Sequence, residues 1–193
     1  MTGRTHDLAA ITALGVVVVL VTPEHTVTLG TAIAAVFANL IGGIAPDIDQ
    51  PTAPFWRNLP IGGLFGRFFD KLLGGHRFIT HSILGAALLG WLTSLLLMFL
   101  MPIMGTIDPS PVWWAFMIGV ASHLVMDSLT KEGVPLLLPI PIKFGFPPLK
   151  SLRITTGKVV ELAIIFPGLL AFNAWLYYTH YRQVLDILHK HVS

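Results

Sequence analysis

The sequence predicts an all-α, polytopic membrane helix bundle of about five transmembrane helices, with one further amphipathic helix lying in the interface. Three observations predict it. Hydrophobic residues make up 54% of the 193 residues and charged ones only 11%, against roughly a quarter charged in water-soluble domains. Five segments approach the ~20 apolar residues needed to cross a bilayer. Between two of them lies a stretch whose apolar and charged residues separate at helical period.

The first spanning segment is read over 6–22. Its core, Leu8 to Val21, follows Arg4 as a signal peptide's apolar region would. Thr22-Pro23-Glu24-His25 offers no small-x-small cleavage pattern, so the helix is expected to be retained. That core spans only about 21 Å at 1.5 Å per residue, so the helix should start near Thr5 or be buried among the others. The second segment, 27–46, ends at Ile44-Ala45-Pro46-Asp47, where proline and acid stop the apolar run. The third, 78–101, opens after Gly74-Gly75 and is expected to close at Pro102. The fourth, 111–130, starts after Pro109-Ser110-Pro111 and carries His123 and Asp127 near its end. The fifth, 158–179, contains Pro167-Gly168, an interruption that a membrane helix can absorb as a kink.

Two connections remain, 47–77 and 131–157. In the first, Ile61, Leu64, Phe65, Phe68, Phe69, Leu72 and Leu73 recur at helical spacing with Arg67, Asp70 and Lys71 on the other side. An interfacial helix over about 60–73 follows from that pattern. The second is apolar but too rich in proline for a helix, and is expected to lie along the membrane surface or dip in beside protein. No internal repeat or separate soluble domain is visible, so residues 1–193 are read as a single transmembrane domain.

If all five segments span, ten of the twelve Lys and Arg residues share one side, from Arg4 to Lys158, leaving Arg182 and Lys190 opposite. The positive-inside rule makes the first side cytoplasmic, together with the N-terminus. The net charge of +2 comes from scattered residues rather than a basic run, which gives nucleic-acid binding little support. With no cysteine in the chain, thiolate metal sites and a cysteine nucleophile are excluded, so any metal must be held by nitrogen and oxygen.

The same parity gathers His6, Asp47, Asp49, His76, His81, His123, Asp127 and Glu161 at the cytoplasmic helix ends, while His25, His180, His189 and His191 fall elsewhere. Ionisable groups in a membrane protein cost about 2.5–3.5 kcal/mol each at mid-helix, and less near the interface, unless paired or coordinated. Crowded carboxylates also repel, and a divalent cation resolves both problems. His123 and Asp127 are four residues apart on one helix face. Asp47 and Asp49, two apart beyond a helix end, can serve one ion or one each of two. Arg77 lies between His76 and His81 and could grip a phosphate or carboxylate. Each piece also has a structural reading. Asp-x-Asp is commonly a cap or turn, His123 and Asp127 could pair within their helix, and His6 could be interfacial. Glu161 could pair with Lys158, Arg77 could be a membrane anchor, and the 61–73 stretch an anchor rather than a gate. Convergence favours the metal.

Thr5-His6, Gly43-Ile44-Ala45-Pro46-Asp47-Ile48-Asp49, His76-Arg77-Phe78-Ile79-Thr80-His81-Ser82 and Ser122-His123-Leu124-Val125-Met126-Asp127 together resemble the YdjM-like family of bacterial inner-membrane metal-dependent hydrolases. The resemblance covers about four fifths of the chain. It implies a membrane-bound hydrolase and, by position, supports His6, Asp47, Asp49, His76, His81, His123 and Asp127, with Glu161 as an extension. The His-x-x-x-Asp spacing of lipid phosphatases that use a histidine nucleophile is also met by His123 and Asp127. Residues 112–121 hold no arginine, however, and no Pro-Ser-Gly-His segment exists, which excludes that mechanism. Ser82 and Ser122 lack a Gly-x-Ser-x-Gly elbow.

The expected activity is therefore a metal-dependent hydrolysis at head-group level. One or two Zn²⁺, Mn²⁺ or Fe²⁺ ions would be held by His6, Asp47, Asp49, His81, His123 and Asp127. His76 is expected as a further ligand or a general acid/base, Arg77 as the neutraliser of an anionic substrate group and Glu161 as a third catalytic residue. The expected partner is a membrane lipid or lipid-linked substrate, such as a phosphoester. The sequence leaves the oligomeric state open. A small transporter or ion-binding protein using the same cluster is the alternative, weakened because Leu84 to Leu100 and Val112 to Val120 are nearly all apolar. A non-catalytic scaffold tied by a closed metal shell is a third reading.

Overall fold

The computed structural model describes residues 1–21, 27–52, 56, 62–72, 77–140 and 142–189. Among them it is all-helical: α1 (Gly3–Leu20), α2 (Leu29–Ile44), α3 (Gly62–Leu72), α4 (Ile83–Met104), α5 (Pro109–Ser128) and α6 (Phe166–His189). A 3₁₀ turn, Ala45–Asp49, extends α2, and a π-helical turn, Glu161–Ile165, runs into α6.

Local chemistry sets the boundaries. The Thr28 hydroxyl accepts from Thr31 N–H at 3.1 Å to start α2, and Ser82 Oγ does the same for Gly85 N–H at 3.0 Å to start α4. Asp108 Oδ1 accepts from Ser110 N–H at 2.9 Å ahead of α5, with Pro109 in the first turn where its missing N–H costs nothing. Helix α4 begins five residues later than the hydropathy predicts, because 77–82 is needed as turn. It also runs through Pro102 to Met104 rather than closing there. Pro167 sits one residue into α6, and the carbonyl four residues before it, which its ring would strike in a regular helix, lies in the widened π turn.

Among the described residues four helical stretches are long and apolar enough to cross a membrane: Gly3–Leu20, Leu29–Asp49, Ile83–Met104 and Glu161–Asp186. The fifth expected span, α5, falls short of that criterion for a physical reason. It is the central helix, packed on α1, α2 and α4, and it buries Ser122, His123 and Asp127 along with its apolar residues. A helix shielded by protein need not be as lipophilic as one facing lipid. Its neighbours present the apolar surface, with Phe99 80% exposed on α4.

Glycines let α2 and α5 approach closely. A Cβ on Gly42 would lie 2.1 Å from the Phe116 carbonyl oxygen, and one on Gly119 would lie 2.2 Å from that of Asn39. Small residues at such a contact are how membrane helices gain packing energy. Asn39 Nδ2 donates across the same seam to Ala115 O at 3.0 Å. On the other side of the bundle, polar contacts tie α1 to the last helix: Asn173 Nδ2 donates to Thr12 Oγ1 at 2.6 Å and Gln183 Nε2 to Val19 O at 3.1 Å.

The expected interfacial helix appears as α3, lying against the 3₁₀ turn and exposing Leu64, Phe65, Phe68 and Leu72. Among its described residues the proline-rich connection is non-helical apart from one 3₁₀ turn at Lys150–Leu152. Its ends form isolated bridges, Thr130 with Ile154 and Val134 with Phe144.

Candidate metal centre

Four chain segments deliver polar groups to one end of the bundle. The second turn of α1 brings His6, and the 3₁₀ turn after α2 brings Asp47 and Asp49. The turn before α4 brings Arg77, Thr80 and His81, and the last two turns of α5 bring His123 and Asp127. All except Asp47, whose side chain is 19% exposed, are buried.

His123 Nδ1 lies 2.6 Å from the Gly43 carbonyl oxygen. A carbonyl only accepts, so the ring proton is on Nδ1 and Nε2 carries a lone pair. That lone pair lies 3.2 Å from His81 Nε2, 3.6 Å from Asp47 Oδ1 and 3.8 Å from Asp127 Oδ2. His81 Nε2 in turn is 3.6 Å from both Asp47 Oδ1 and Asp127 Oδ2. Ligands about 2.1 Å from one tetrahedral ion are separated by about 3.4 Å, and these five separations bracket that edge. Among the described residues two three-residue groups hold donor atoms close enough for an ion: His81, His123 and Asp127, and His6, Asp47 and His123. Both need His123, which has one free nitrogen.

Among the described residues four buried side-chain atoms are left without a hydrogen bond: Asn39 Oδ1, Arg77 Nε, Asp127 Oδ2 and His6 Nδ1, of which the last two are placed in the cluster to take an ion or a proton. Asp127 Oδ2 is 2.7 Å from Arg77 Nη2, an ion pair without an aligned hydrogen bond. Asp127 Oδ1 is 2.5 Å from the Met1 amino nitrogen and 3.2 Å from His6 Nε2. The His6 ring stacks on His123, centroids 3.8 Å apart.

Asp49, expected as a ligand, belongs to neither donor group. Its Oδ2 accepts from Arg77 N–H at 3.0 Å and from the Thr80 hydroxyl, and lies 3.4 Å from His81 Nδ1. A carboxylate behind the distal nitrogen of a histidine orients the ring and raises its basicity. Arg77, expected to meet an anionic substrate, turns inward instead. Only 7% exposed, it spans from Asp127 to Thr130 Oγ1 at 3.0 Å and Glu132 at 3.5 Å. Its φ of 60° is left-handed, a conformation costing an L-residue about 1–2 kcal/mol, and the Asp49 hydrogen bond holds it there. Glu161 also stands outside the donor groups. Its Oε1 accepts from Thr2 N–H at 2.6 Å and from the Thr2 and Thr5 hydroxyls at 2.8 and 2.7 Å, while Oε2 accepts from Gly157 N–H at 2.7 Å. It anchors the start of α1, and with it His6. His76 lies outside the described residues.

Burial opposes charge on His81, but the carboxylates of Asp127, Asp47 and Asp49, 3.4 to 3.6 Å from its ring nitrogens, push its imidazolium up to about 10. The sign follows directly. This raised value stabilises the ion-free fold fully below the ordinary value of 6.5 and is lost as pH rises through about 10. A cation at Nε2 must expel that proton. Metal affinity is accordingly expected to rise about tenfold per pH unit between pH 7 and 9, with one proton released per ion, measured by calorimetry in buffers of different ionisation enthalpy. A pH-independent affinity would contradict it.

The family profile described as YdjM inner membrane protein matches residues 1–185. The uncharacterized protein YvsG of Bacillus subtilis (strain 168) is 28% identical over 141 residues, 73% of this chain and 76% of that protein. The inner membrane proteins YdjM of Escherichia coli (strain K12) and Shigella flexneri are each 32% identical over 138 residues, 69% of this chain. The match spans 61% of those two proteins' length. No solved structure matches the chain significantly.

Proposed function

This chain belongs to the YdjM inner membrane protein family, and from that premise we propose that it is a membrane-bound hydrolase working with a single divalent ion that faces the cytoplasm at head-group level. The observation that carries the proposal is the set of donor separations, 3.2 to 3.8 Å, among His81, His123, Asp47 and Asp127. A single ion is favoured over two because the two donor groups share His123, whose other nitrogen is committed to Gly43. The nitrogen and oxygen donors suit Zn²⁺, Mn²⁺ or Fe²⁺. When bound, such an ion supplies Lewis acidity that polarises a scissile bond and activates water.

The chain's own residues do the rest. Gly43 and Asp49 fix the two imidazoles with Nε2 forward. Arg77 holds Asp127 as a carboxylate, and Asp47, the partly exposed donor, marks the side open to substrate. His6, with its unpartnered Nδ1, is the group placed to exchange a proton. The basic residues gathered on the site's side set the cytoplasmic orientation, and a phosphoester of a membrane lipid is the substrate that location favours.

Purification in detergent without chelator is expected to yield about one transition-metal ion per chain by mass spectrometry, and a His81→Ala variant close to none. Metal-dependent phosphate release from a lipid phosphomonoester in mixed micelles would then follow the bound ion. Wild-type protein that stays metal-free after reconstitution with Zn²⁺ and Mn²⁺ would overturn the reading.

A further inference from the structure

The connection between α5 and the π turn is fastened to the donor-bearing ends of two helices. Ile83 N–H, two residues past His81, donates to Leu136 O at 3.0 Å, and Phe146 N–H donates to Ser128 O, next to Asp127, at 2.9 Å. Val134 and Phe144 exchange two backbone hydrogen bonds of 2.8 Å, and Ile154 N–H reaches Leu129 O at 3.0 Å. The strap cannot drift from the metal centre without breaking these bonds.

Its outer surface combines two features. Phe146, Leu149 and Leu152 are 65%, 65% and 66% exposed, and Ile140 and Ile142 are exposed beside them. Among these side chains, and just outside them, stand four exposed lysines, Lys131, Lys143, Lys150 and Lys158. Among the described residues none of the four has a salt-bridge partner, and the lone acid between Ser128 and Val160, Glu132, faces Arg77. Arg153 is spent internally on the Pro147 and Pro148 carbonyls. Large apolar side chains interleaved with unneutralised ammonium groups match one environment, the boundary where acyl chains meet anionic head groups. The strap is bonded to the start of α4 through Ile83 and Leu136 and runs by sequence into the last helix, where Ile83, Leu84, Val159 and Leu162 expose further apolar surface, so the membrane itself is the occupant that fits.

We propose that the 131–158 strap is an anionic-phospholipid binding surface, which holds a phosphate-bearing head group beside the metal centre and selects acidic lipids over zwitterionic ones. This rests on the head-group-level reading above, and it names the class of lipid that reading left open.

The test uses the full chain in lipid nanodiscs, with spin-labelled phosphatidylglycerol and phosphatidylcholine as probes of lipid association. Wild type is expected to prefer phosphatidylglycerol about three- to tenfold, as a few lysines at an anionic surface allow, and to lose the preference in high salt. A Lys143→Gln, Lys150→Gln, Lys158→Gln variant should associate equally with both lipids while keeping its metal, and the corresponding triple arginine variant should restore the preference. Equal association in wild type, or a preference unchanged in the glutamine variant, overturns the proposal. Displacement of phosphatidylglycerol by excess inorganic phosphate also overturns it, since it would assign the surface to free phosphate. Chelator-stripped wild type should retain the preference, so failure of the metal reading and failure of this one give different results.

Discussion

Asp127→Asn is expected to abolish metal retention and to destabilise the protein more than any other single change at the site. Asp127 makes more ionic contacts than any other residue of the cluster, with Arg77, His6 and the Met1 amine on its oxygens and the His81 and His123 nitrogens 3.6 and 3.8 Å from Oδ2. An amide of the same shape removes a ligand charge and leaves the buried Arg77 guanidinium with only the exposed Glu132 carboxylate, 3.5 Å away, as counter-ion. Breaking a buried pair in this way costs about 3–5 kcal/mol. Loss of a ligand itself should exceed the 10- to 100-fold affinity loss typical of outer-shell partners, so at least about 100-fold is expected. Thermal unfolding in detergent with metal content read on the same sample checks both effects. Adding Arg77→Gln should recover part of the stability and none of the metal, since the two residues are directly coupled. An Asp127→Asn protein that binds metal as wild type does would remove Asp127 from the ligand set.

The second large effect lies away from the ligands. Gly42→Ala or Gly119→Ala would place a methyl 2.1 or 2.2 Å from a backbone carbonyl oxygen of the facing helix, a collision with backbone that no rotamer change relieves. Forcing α2 and α5 apart costs about 1–3 kcal/mol or more by overpacking. It also pulls the Gly43 carbonyl from His123 Nδ1, releasing the tautomer that keeps Nε2 open. Both variants should therefore lose stability and metal together. Gly63→Ala and Gly168→Ala, where nothing lies within 4 Å of the added carbon, should behave as wild type. Metal retention at the wild-type level in Gly42→Ala would show that the seam does not set the ligand geometry.

Much of this was legible in the sequence because a membrane restricts where polar residues can sit. Asp47, His81, His123 and Asp127 stood out by lying at the ends of apolar runs, and the structure brings them together with His6. The all-helical fold followed from the same runs. What distance along the chain does not encode was missed. The inward turn of Arg77 depends on a left-handed backbone that sequence spacing does not show, and Asp49 differs from Asp47 only in which way a 3₁₀ turn points it. Thr80 and the Gly43 carbonyl, which hold Asp49 and His123, carried no signal of their own, although Thr80 sits inside the histidine motif. Helix α5 read as a span by length, yet its polarity belongs to a helix sheathed by others.

The π turn has a consequence for the phase of the last helix. Glu161 must face Thr2 and Thr5, and Asn173 must face Thr12, all on the same stripe of α1. Twelve positions separate the two, and at about 100° per residue an unbroken α-helix would set them about 120° apart. One residue absorbed in the wider turn takes back about 100°, leaving them nearly in line. The turn thus acts as a gear offset, letting one straight helix mesh with α1 near the His/Asp cluster and again about three turns further on, so that the position of His6 is indexed from both ends.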